Sequence, residues 1–197
     1  MYDRNALIAL VRQKALIFGQ FTLASGKRAT YYLDGKQVTL DPNGARLIAE
    51  GLLDLLEGHG AMPAAVGGMS IGADPITAAV VTMSAVRGTP ILGFMVRKEP
   101  KGHGTNQYLE GPVQPGMAVV IVEDVVTTGG SSLAAIERAE KFGLAIVGVL
   151  AVIDRMEGGS EAFAAKGYWF SSLLDIRDFG IAPPEEPEPE SSNAQPQ

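Results

Sequence analysis

Two acidic residues and a run of small residues follow one another between positions 123 and 131 of this 197-residue chain. Glu123 and Asp124 come directly after an apolar, mostly β-branched run at 117–122, which is typical of a buried parallel strand. A Thr-Thr-Gly-Gly-Ser segment at 127–131 then precedes a helical pattern of apolar residues. Backbone N–H groups at a helix N-terminus, with hydroxyls beside them, suit one phosphate. The carboxylates suit sugar hydroxyls or a hydrated metal ion, so the segment predicts a sugar-phosphate site.

The same segment has a purely structural interpretation. A strand would end in a turn, and Ser131 would be the N-cap of the following helix. Capping does not explain why two adjacent carboxylates end a buried strand, so we favour the binding interpretation.

The composition indicates a single globular domain. Hydrophobic residues make up 46% and charged residues 19% of the chain, which is long enough for a full core. There is no cysteine, which excludes disulfides, thiolate catalysis and cysteine-based zinc sites. No apolar run approaches the roughly 20 residues of a membrane span. The polar N-terminus has no signal-peptide pattern, which favours the cytoplasm.

The net charge of −6 is partly carried by the C-terminal segment. Without Glu185, Glu186, Glu188 and Glu190, 16 basic residues face 18 acidic ones, a net charge of −2. This near balance gives no electrostatic case for nucleic-acid binding. The acidic, proline-rich segment 181–197 is predicted to be a disordered tail.

Strand and helix patterns alternate from residue 64 to residue 166. Helix start signals lie at Asp3, Asp41 and Asp74, the last two each followed by proline. The strand candidates are 64–68, 91–96, 117–122 and 145–153. This order predicts an α/β fold with a mostly parallel central sheet flanked by helices, which binds ligands at the carboxyl ends of its strands. We expect one domain over 1–180, with hood elements at about 1–60 and the α/β core at about 61–180.

The segment 97–108 interrupts this alternation. It has no apolar periodicity, contains glycine and proline, and carries basic residues at Arg97, Lys98, Lys101 and His103. Long loops of this kind are often active-site lids, and mobile cations suit a polyphosphate ligand. We therefore predict a mobile lid loop here, against the plainer interpretation of a solvated charged loop.

Several of these segments resemble one enzyme family. The string 117–131 closely resembles the phosphoribosyl diphosphate (PRPP) motif of type I phosphoribosyltransferases. The segment 18–34, with Phe-Thr-Leu-Ala-Ser-Gly before a tyrosine pair, resembles the N-terminal segment of the orotate phosphoribosyltransferases. The spacing of basic residues in 97–108 matches the lid of those enzymes, and Arg155 follows the last core strand, where they carry an orotate-contacting arginine. The resemblance covers about residues 4–178.

The resemblance implies Mg²⁺-dependent transfer of phosphoribosyl from PRPP to orotate, giving orotidine 5′-monophosphate and pyrophosphate in UMP biosynthesis. It implies a homodimer with shared active sites, and Mg²⁺ held mainly by PRPP and water without direct protein ligands. The implied PRPP-binding residues are Arg97, Lys98, Lys101, His103, Glu123, Asp124, Val125, Val126, Thr127, Thr128, Gly129, Gly130 and Ser131. Those implied to act in catalysis are Arg97, Lys101, His103 and Asp124, and those for orotate are Thr127 and Arg155, with Tyr32 a further candidate for ligand contact.

The chain departs from the family pattern at three positions. Ala24 and Gly72 stand where related enzymes often have lysines, and Glu123 stands where aspartate is frequent. Fewer cations would then meet the diphosphate, which places more of that work on Lys98 and Lys101.

Two other functions remain open from the sequence. One is a phosphoribosyltransferase for another base, which the segment 18–34 and the lid disfavour. The other is a non-catalytic regulator that senses PRPP, which would require a nucleic-acid-binding face. A P-loop kinase is excluded because no GxxxxGK[ST] motif occurs.

Overall fold

The computed structural model describes residues 2–22, 28–60, 62–100 and 108–184. The helices are α1 (Arg4–Lys14), α2 (Lys36–Thr39), α3 (Pro42–His59), α4 (Ala73–Val86), α5 (Gly130–Phe142) and α6 (Gly159–Ala164), with a 3₁₀ turn at Ile176–Phe179. The strands are β1 (Leu16–Thr22), β2 (Arg28–Leu33), β3 (Ala65–Met69), β4 (Leu92–Val96), β5 (Leu109–Glu110), β6 (Ala118–Val126), β7 (Ala145–Asp154) and β8 (Trp169–Asp175).

Six strands of the described part form the central sheet, in the order β5-β4-β3-β6-β7-β8. All neighbouring pairs are parallel except β4 with β5. The predicted mostly parallel sheet flanked by helices is confirmed. Strand β6 lies inside the sheet between β3 and β7. It pairs with β3 from Val119 to Ile121, and its carboxyl end continues to pair with β7 as far as Val126.

Strand β6 is longer than the sequence pattern indicated. It runs to Val126 rather than ending at 122, because Val125 pairs with Ile153 and Val126 with Asp154 on β7. Glu123 and Asp124 therefore lie within the strand and not in the turn after it. Because Glu123 and Val125 both pair with residues of β7, the backbone at Glu123 and Asp124 is fixed by the sheet.

The predicted helix starts are largely confirmed. The Asp3 carboxylate accepts a hydrogen bond from the backbone of Ala6, and Asp41 caps α3 with proline at its first position. At α4 the expectation was wrong, because that helix begins at Ala73 with Gly72 as its N-cap. The Asp74 carboxylate instead accepts a hydrogen bond from the Ser70 hydroxyl at 2.9 Å.

Two apolar layers cover the faces of the sheet. One buried cluster joins α1, α3 and α4 to the sheet, with Leu53 and Val80 fully buried in it. The other joins α5 and α6 to the opposite face, with Phe163 fully buried. Strands β1 and β2 form a separate antiparallel hairpin before α2, which we call the hood hairpin.

The hood and core boundary near residue 60 stays a prediction, and 185–197 of the predicted tail lies outside the described residues. In the ranges that the structure describes, no helix combines the length and apolar character needed to cross a membrane.

Candidate active site

A pocket opens where β6 ends and α5 begins. It brings together seven of the predicted PRPP-binding residues and adds Ser132. The lining residues are Glu123, Val125, Val126, Thr127, Gly129, Gly130, Ser131 and Ser132. Their polar side chains offer oxygen atoms only, and the turn leads directly into a helix N-terminus.

The N-terminus of α5 has no side chain capping its backbone N–H groups. Gly129 is the N-cap with φ +78°, and it makes no side-chain cap hydrogen bond. The alternative in which Ser131 caps the helix is wrong, because Ser131 already lies within the first turn. A Cβ atom at Gly129 would come 2.8 Å from the Phe163 ring, so both backbone angle and space require glycine there. The first-turn N–H groups, which a helix leaves without internal partners, are thus placed at the pocket.

Glu123 is a buried carboxyl group at this pocket. Its residue is 7% exposed, and its Oε2 accepts a hydrogen bond from the Ser132 hydroxyl at 3.0 Å. Burial, and then the neighbouring Asp124 charge, raise the pKa of Glu123 to about 8, whereas the Ser132 hydrogen bond lowers it. In the ligand-free protein the carboxyl group therefore favours its neutral form near neutral pH.

Asp124 is held between two glycine-bearing turns. Its Oδ1 accepts a hydrogen bond from the Val125 backbone at 2.9 Å. A Cβ atom at Gly35, after the hood hairpin, would be 3.0 Å from Oδ2, and one at Gly72, before α4, would be 2.8 Å from Oδ1. The Gly72 position would also be 3.2 Å from Oε1 of Glu123. A lysine at position 72 would force the Asp124 carboxylate to move.

Lys36 is a cation at this site that the sequence did not reveal. Its ammonium group contacts Oδ1 of Asp34 at 2.7 Å. The pKa of Lys36 is raised first by that hydrogen bond and further by the charge of Asp124. Lys36 therefore places a positive charge near Asp124 in a site that lacks a lysine at position 72. Nothing in the local pattern marked it, since one lysine after a strand is ordinary.

Arg155 connects the core to the hood hairpin. Its backbone N–H donates to the Val126 carbonyl at 2.8 Å, which places the residue beside the pocket. Its Nε donates to the Tyr31 hydroxyl at 2.9 Å, its guanidinium lies 4.8 Å from the Tyr31 ring centre, and its Nη2 is 2.8 Å from Glu157. Tyr31 is buried in the core, and only the fold reveals its contact with Arg155. Tyr32, the predicted candidate, is 46% exposed, and its ligand contact stays a prediction.

The basic segment 97–108 is described only at its two ends. The Arg97 backbone donates to the Tyr108 carbonyl at 2.8 Å, so the segment leaves and rejoins the sheet at one point. Arg138 of α5 donates to the Arg97 carbonyl at 2.8 Å and lies 4.5 Å from the Tyr108 ring centre. The Arg97 guanidinium lies 3.5 Å from Glu110.

Four of the described residues predicted to bind PRPP, namely Arg97, Lys98, Asp124 and Thr128, do not line the pocket. Lys98 is exposed, and neither Arg97 nor Lys98 lines the pocket described above. Lys101 and His103, together with Ala24, lie outside the described residues, so their predicted roles and the lid stay predictions. Among the residues that the structure describes, no three His, Asp or Glu side chains cluster as a metal site would require.

The class of protein with this fold is the phosphoribosyltransferases, as a family model and solved structures show. A family model described as "Phosphoribosyl transferase domain" matches residues 82–178. An orotate phosphoribosyltransferase of Rhodopirellula baltica is 57% identical over 185 residues, covering 92% of this chain and 96% of that protein.

Solved structures agree with this class. A Mycobacterium tuberculosis orotate phosphoribosyltransferase in complex with Fe(III) dicitrate has a TM-score of 0.81 and 37% identity, covering 90% of this chain and 99% of that one. The same enzyme in complex with PRPP has a TM-score of 0.77 and 34% identity, covering 90% and 99%. The chain belongs to the orotate phosphoribosyltransferase family.

Proposed function

We propose that this chain transfers the 5-phosphoribosyl group from PRPP to orotate, giving orotidine 5′-monophosphate and pyrophosphate, as a step in UMP biosynthesis. The observation that carries the proposal is the pocket in which the carboxyl end of β6, a hydroxyl-rich turn and a helix N-terminus meet. Relatives that bear the name of this activity, and a solved relative in complex with PRPP, support it.

The 5′-phosphate of PRPP would lie in the turn at the start of α5. The residues in question are Thr127, Thr128, Gly129, Gly130 and Ser131, all but Thr128 of which line the pocket. A helix N-terminus favours negative charge. A phosphate would satisfy N–H groups that the helix itself leaves unpaired. Glu123 and Asp124, with Val125 and Val126 beside them, would then face the ribose, whose hydroxyls can donate to carboxylates.

Bond breaking at C1 places negative charge on the departing pyrophosphate and positive charge on the sugar. The electron pair of the C1–O bond leaves with pyrophosphate. Orotate N1 forms the new bond to C1, and its proton passes to the departing pyrophosphate or to water. Asp124 would stabilise the cationic sugar, and cations placed where the negative charge develops lower the barrier. We assign that work to Arg97, Lys98 and Lys101, with His103 as a hydrogen-bond donor to pyrophosphate.

Lys36 extends this set of cations. Its side chain is 47% exposed and pairs with Asp34, and the charge of Asp124 contributes to its raised pKa. We place Lys36 at the diphosphate end of the substrate. The positive charge of Lys36 would partly replace the charge that lysines at positions 24 and 72 would have supplied.

Orotate carries a carboxylate, which suits a guanidinium. Arg155 is 16% exposed and already oriented by Tyr31 and Glu157. A held guanidinium loses little freedom when it binds an anion. We place the orotate carboxylate or ring oxygens at Arg155, with Thr127 near the ring and Tyr32 on the hood side.

Mg²⁺ would be bound mainly by the diphosphate oxygens and by water, as this ion usually is at phosphates. The oxygen-only side chains of the pocket suit such a hydrated ion. When bound, it neutralises charge on the leaving pyrophosphate.

The test is to incubate the purified protein with orotate, PRPP and Mg²⁺ and to identify the products by mass spectrometry. We expect orotidine 5′-monophosphate and pyrophosphate in equal amounts, and no product with EDTA. Asp124→Asn should lower kcat by at least about a hundredfold, since it removes charge stabilisation at the reacting carbon. PRPP binding without any nucleotide product would contradict the proposal.

A further inference from the structure

Ser132 is a buried serine at the base of the pocket. It is 1% exposed, lies in the first turn of α5, and comes one residue after the segment predicted to bind PRPP. Its hydroxyl donates to Oε2 of Glu123 at 3.0 Å. A polar group buried to this degree needs a partner, and here the partner is a carboxyl group of the site.

This hydrogen bond connects two parts of the pocket that would hold different parts of one substrate. Ser132 belongs to the helix turn that would hold the 5′-phosphate, whereas Glu123 belongs to the strand that would face the ribose. The bond joins residues nine positions apart in sequence. With Oε2 on Ser132, the other oxygen, Oε1, lies 3.2 Å from the Cβ position of Gly72.

We propose that Ser132 is a positioning residue, which holds the Glu123 carboxyl group in the orientation that receives the ribose hydroxyls of PRPP. The inference rests on the proposed function, because it assigns a role within the same PRPP site. Ser132 does not touch the substrate in this account, and it acts through Glu123.

The chemistry of the bond fits this role. A hydroxyl donor stabilises the ionised carboxylate, which is the form that accepts hydrogen bonds from sugar hydroxyls. Burial and the Asp124 charge act in the opposite direction on Glu123. Without the Ser132 hydroxyl, the carboxyl group would keep its proton to higher pH and lose its fixed orientation.

The test is to measure PRPP affinity by titration calorimetry without any base, from pH 6 to pH 9. Ser132→Ala should bind PRPP roughly tenfold more weakly, as expected for loss of a hydrogen bond to a charged group. PRPP affinity should rise with pH as Glu123 loses its proton. In Ser132→Ala this rise should occur at a higher pH than in the wild-type protein. Ser132→Thr, which keeps the hydroxyl, should restore most of the affinity.

Ser84→Ala is the matched control. Ser84 is also fully buried, and its hydroxyl bonds only within the region of α4 and Ile91. The control should lower Tm without changing PRPP affinity or its pH dependence. If Ser132→Ala does not fold, Ser132→Thr and Ser132→Val have the same shape and differ in the hydroxyl alone.

The outcomes separate this inference from the proposed function. If the wild-type protein binds PRPP and the hydroxyl-free variants bind it equally well with the same pH profile, the role of Ser132 is overturned while the proposed function stands. If the wild-type protein does not bind PRPP at all, both are overturned.

Discussion

Glu123 is the residue whose chemistry depends most on its surroundings. Its carboxyl group is buried beside a second carboxyl group, and burial and that neighbour raise its pKa from an ordinary value of 4.5 to about 8. At a pH between these two values, Glu123 keeps its proton in the folded protein but has released it in the unfolded chain. Stability contributed by this group is therefore lost as the pH rises from about 4.5 to about 8.

Replacing Glu123 by glutamine should remove this pH dependence, because the amide resembles the neutral carboxyl group and carries no charge. We expect Glu123→Gln and wild type to have similar Tm at pH 5. The variant should be more stable by at least about 3 °C at pH 9, given the usual relation between free energy and Tm. Thermal unfolding at several pH values measures this.

Glu137→Gln is the control for this series. Glu137 is exposed and pairs with Lys141, which lowers its pKa, so its contribution is constant above its ordinary pKa. A Glu123→Gln curve that runs parallel to wild type from pH 5 to pH 9 would show that Glu123 is not protonated in the folded protein.

Tyr31 also acts through a neighbour. Its hydroxyl oxygen accepts a hydrogen bond from Arg155, which is proposed to bind orotate. Tyr31→Phe keeps the ring but loses this bond, so the guanidinium should be less well oriented. We expect KM for orotate to rise about fivefold, within the range for one such hydrogen bond, with KM for PRPP unchanged. Steady-state kinetics with each substrate varied in turn measures both constants.

Tyr168→Phe provides the comparison, since it removes a tyrosine hydroxyl that bonds to Glu140 on the surface. It should leave both KM values at the wild-type level. Equal effects of the two variants on KM for orotate would contradict the role of Tyr31.

At the scale of elements, α5 serves both the pocket and the segment predicted to be a lid. Its N-terminus lines the pocket, and Arg138 further along holds the Arg97 carbonyl and the Tyr108 ring. Arg138 also contacts the sulfur of Met69, at the end of β3. One helix thus fixes the two anchoring points of 97–108 relative to the site.

Arg138→Ala should loosen these anchoring points. We expect kcat to fall about fivefold, because lid cations would meet the leaving pyrophosphate less often in the right place. KM for PRPP should change less. Kinetics at saturating and limiting PRPP separates the two effects.

Lys141→Ala on the same helix is the matched control. It removes one exposed positive charge that pairs only locally with Glu137, and it should leave kcat unchanged. If Arg138→Ala behaves like Lys141→Ala, the anchoring of 97–108 does not limit turnover.

At the scale of the whole molecule, the sequence predicted what depends on local pattern. Apolar runs located four of the eight described strands, namely β3, β4, β6 and β7, and two of the three predicted helix starts are confirmed. The segment 123–131 located the pocket. The extension of β6 to Val126 was not predictable, because it depends on pairing with β7. The contact of Tyr31 with Arg155 joins residues 124 positions apart, and the proximity of Lys36 to Asp124 also depends on tertiary structure. No local pattern encodes either one.

The family resemblance also led to the proposal of a dimer in which the lid of one subunit completes the site of the other. Mixing Lys101→Ala with Asp124→Asn tests this, because each variant would be inactive alone. A randomly mixed symmetric dimer should regain about a quarter of wild-type activity, since one site in each heterodimer has both residues intact. No recovery at any mixing ratio, with heterodimers shown to form, would contradict shared sites.

The most direct test of the account is the base that the purified protein consumes in the presence of PRPP and Mg²⁺. Loss of orotate absorbance would be followed beside parallel assays of adenine, guanine, hypoxanthine, xanthine and uracil. The account predicts turnover of orotate alone, abolished by EDTA. Turnover of another base with orotate unused would contradict it. The proposed phosphate site would then still stand, but the assignment of orotate to Arg155 would be wrong.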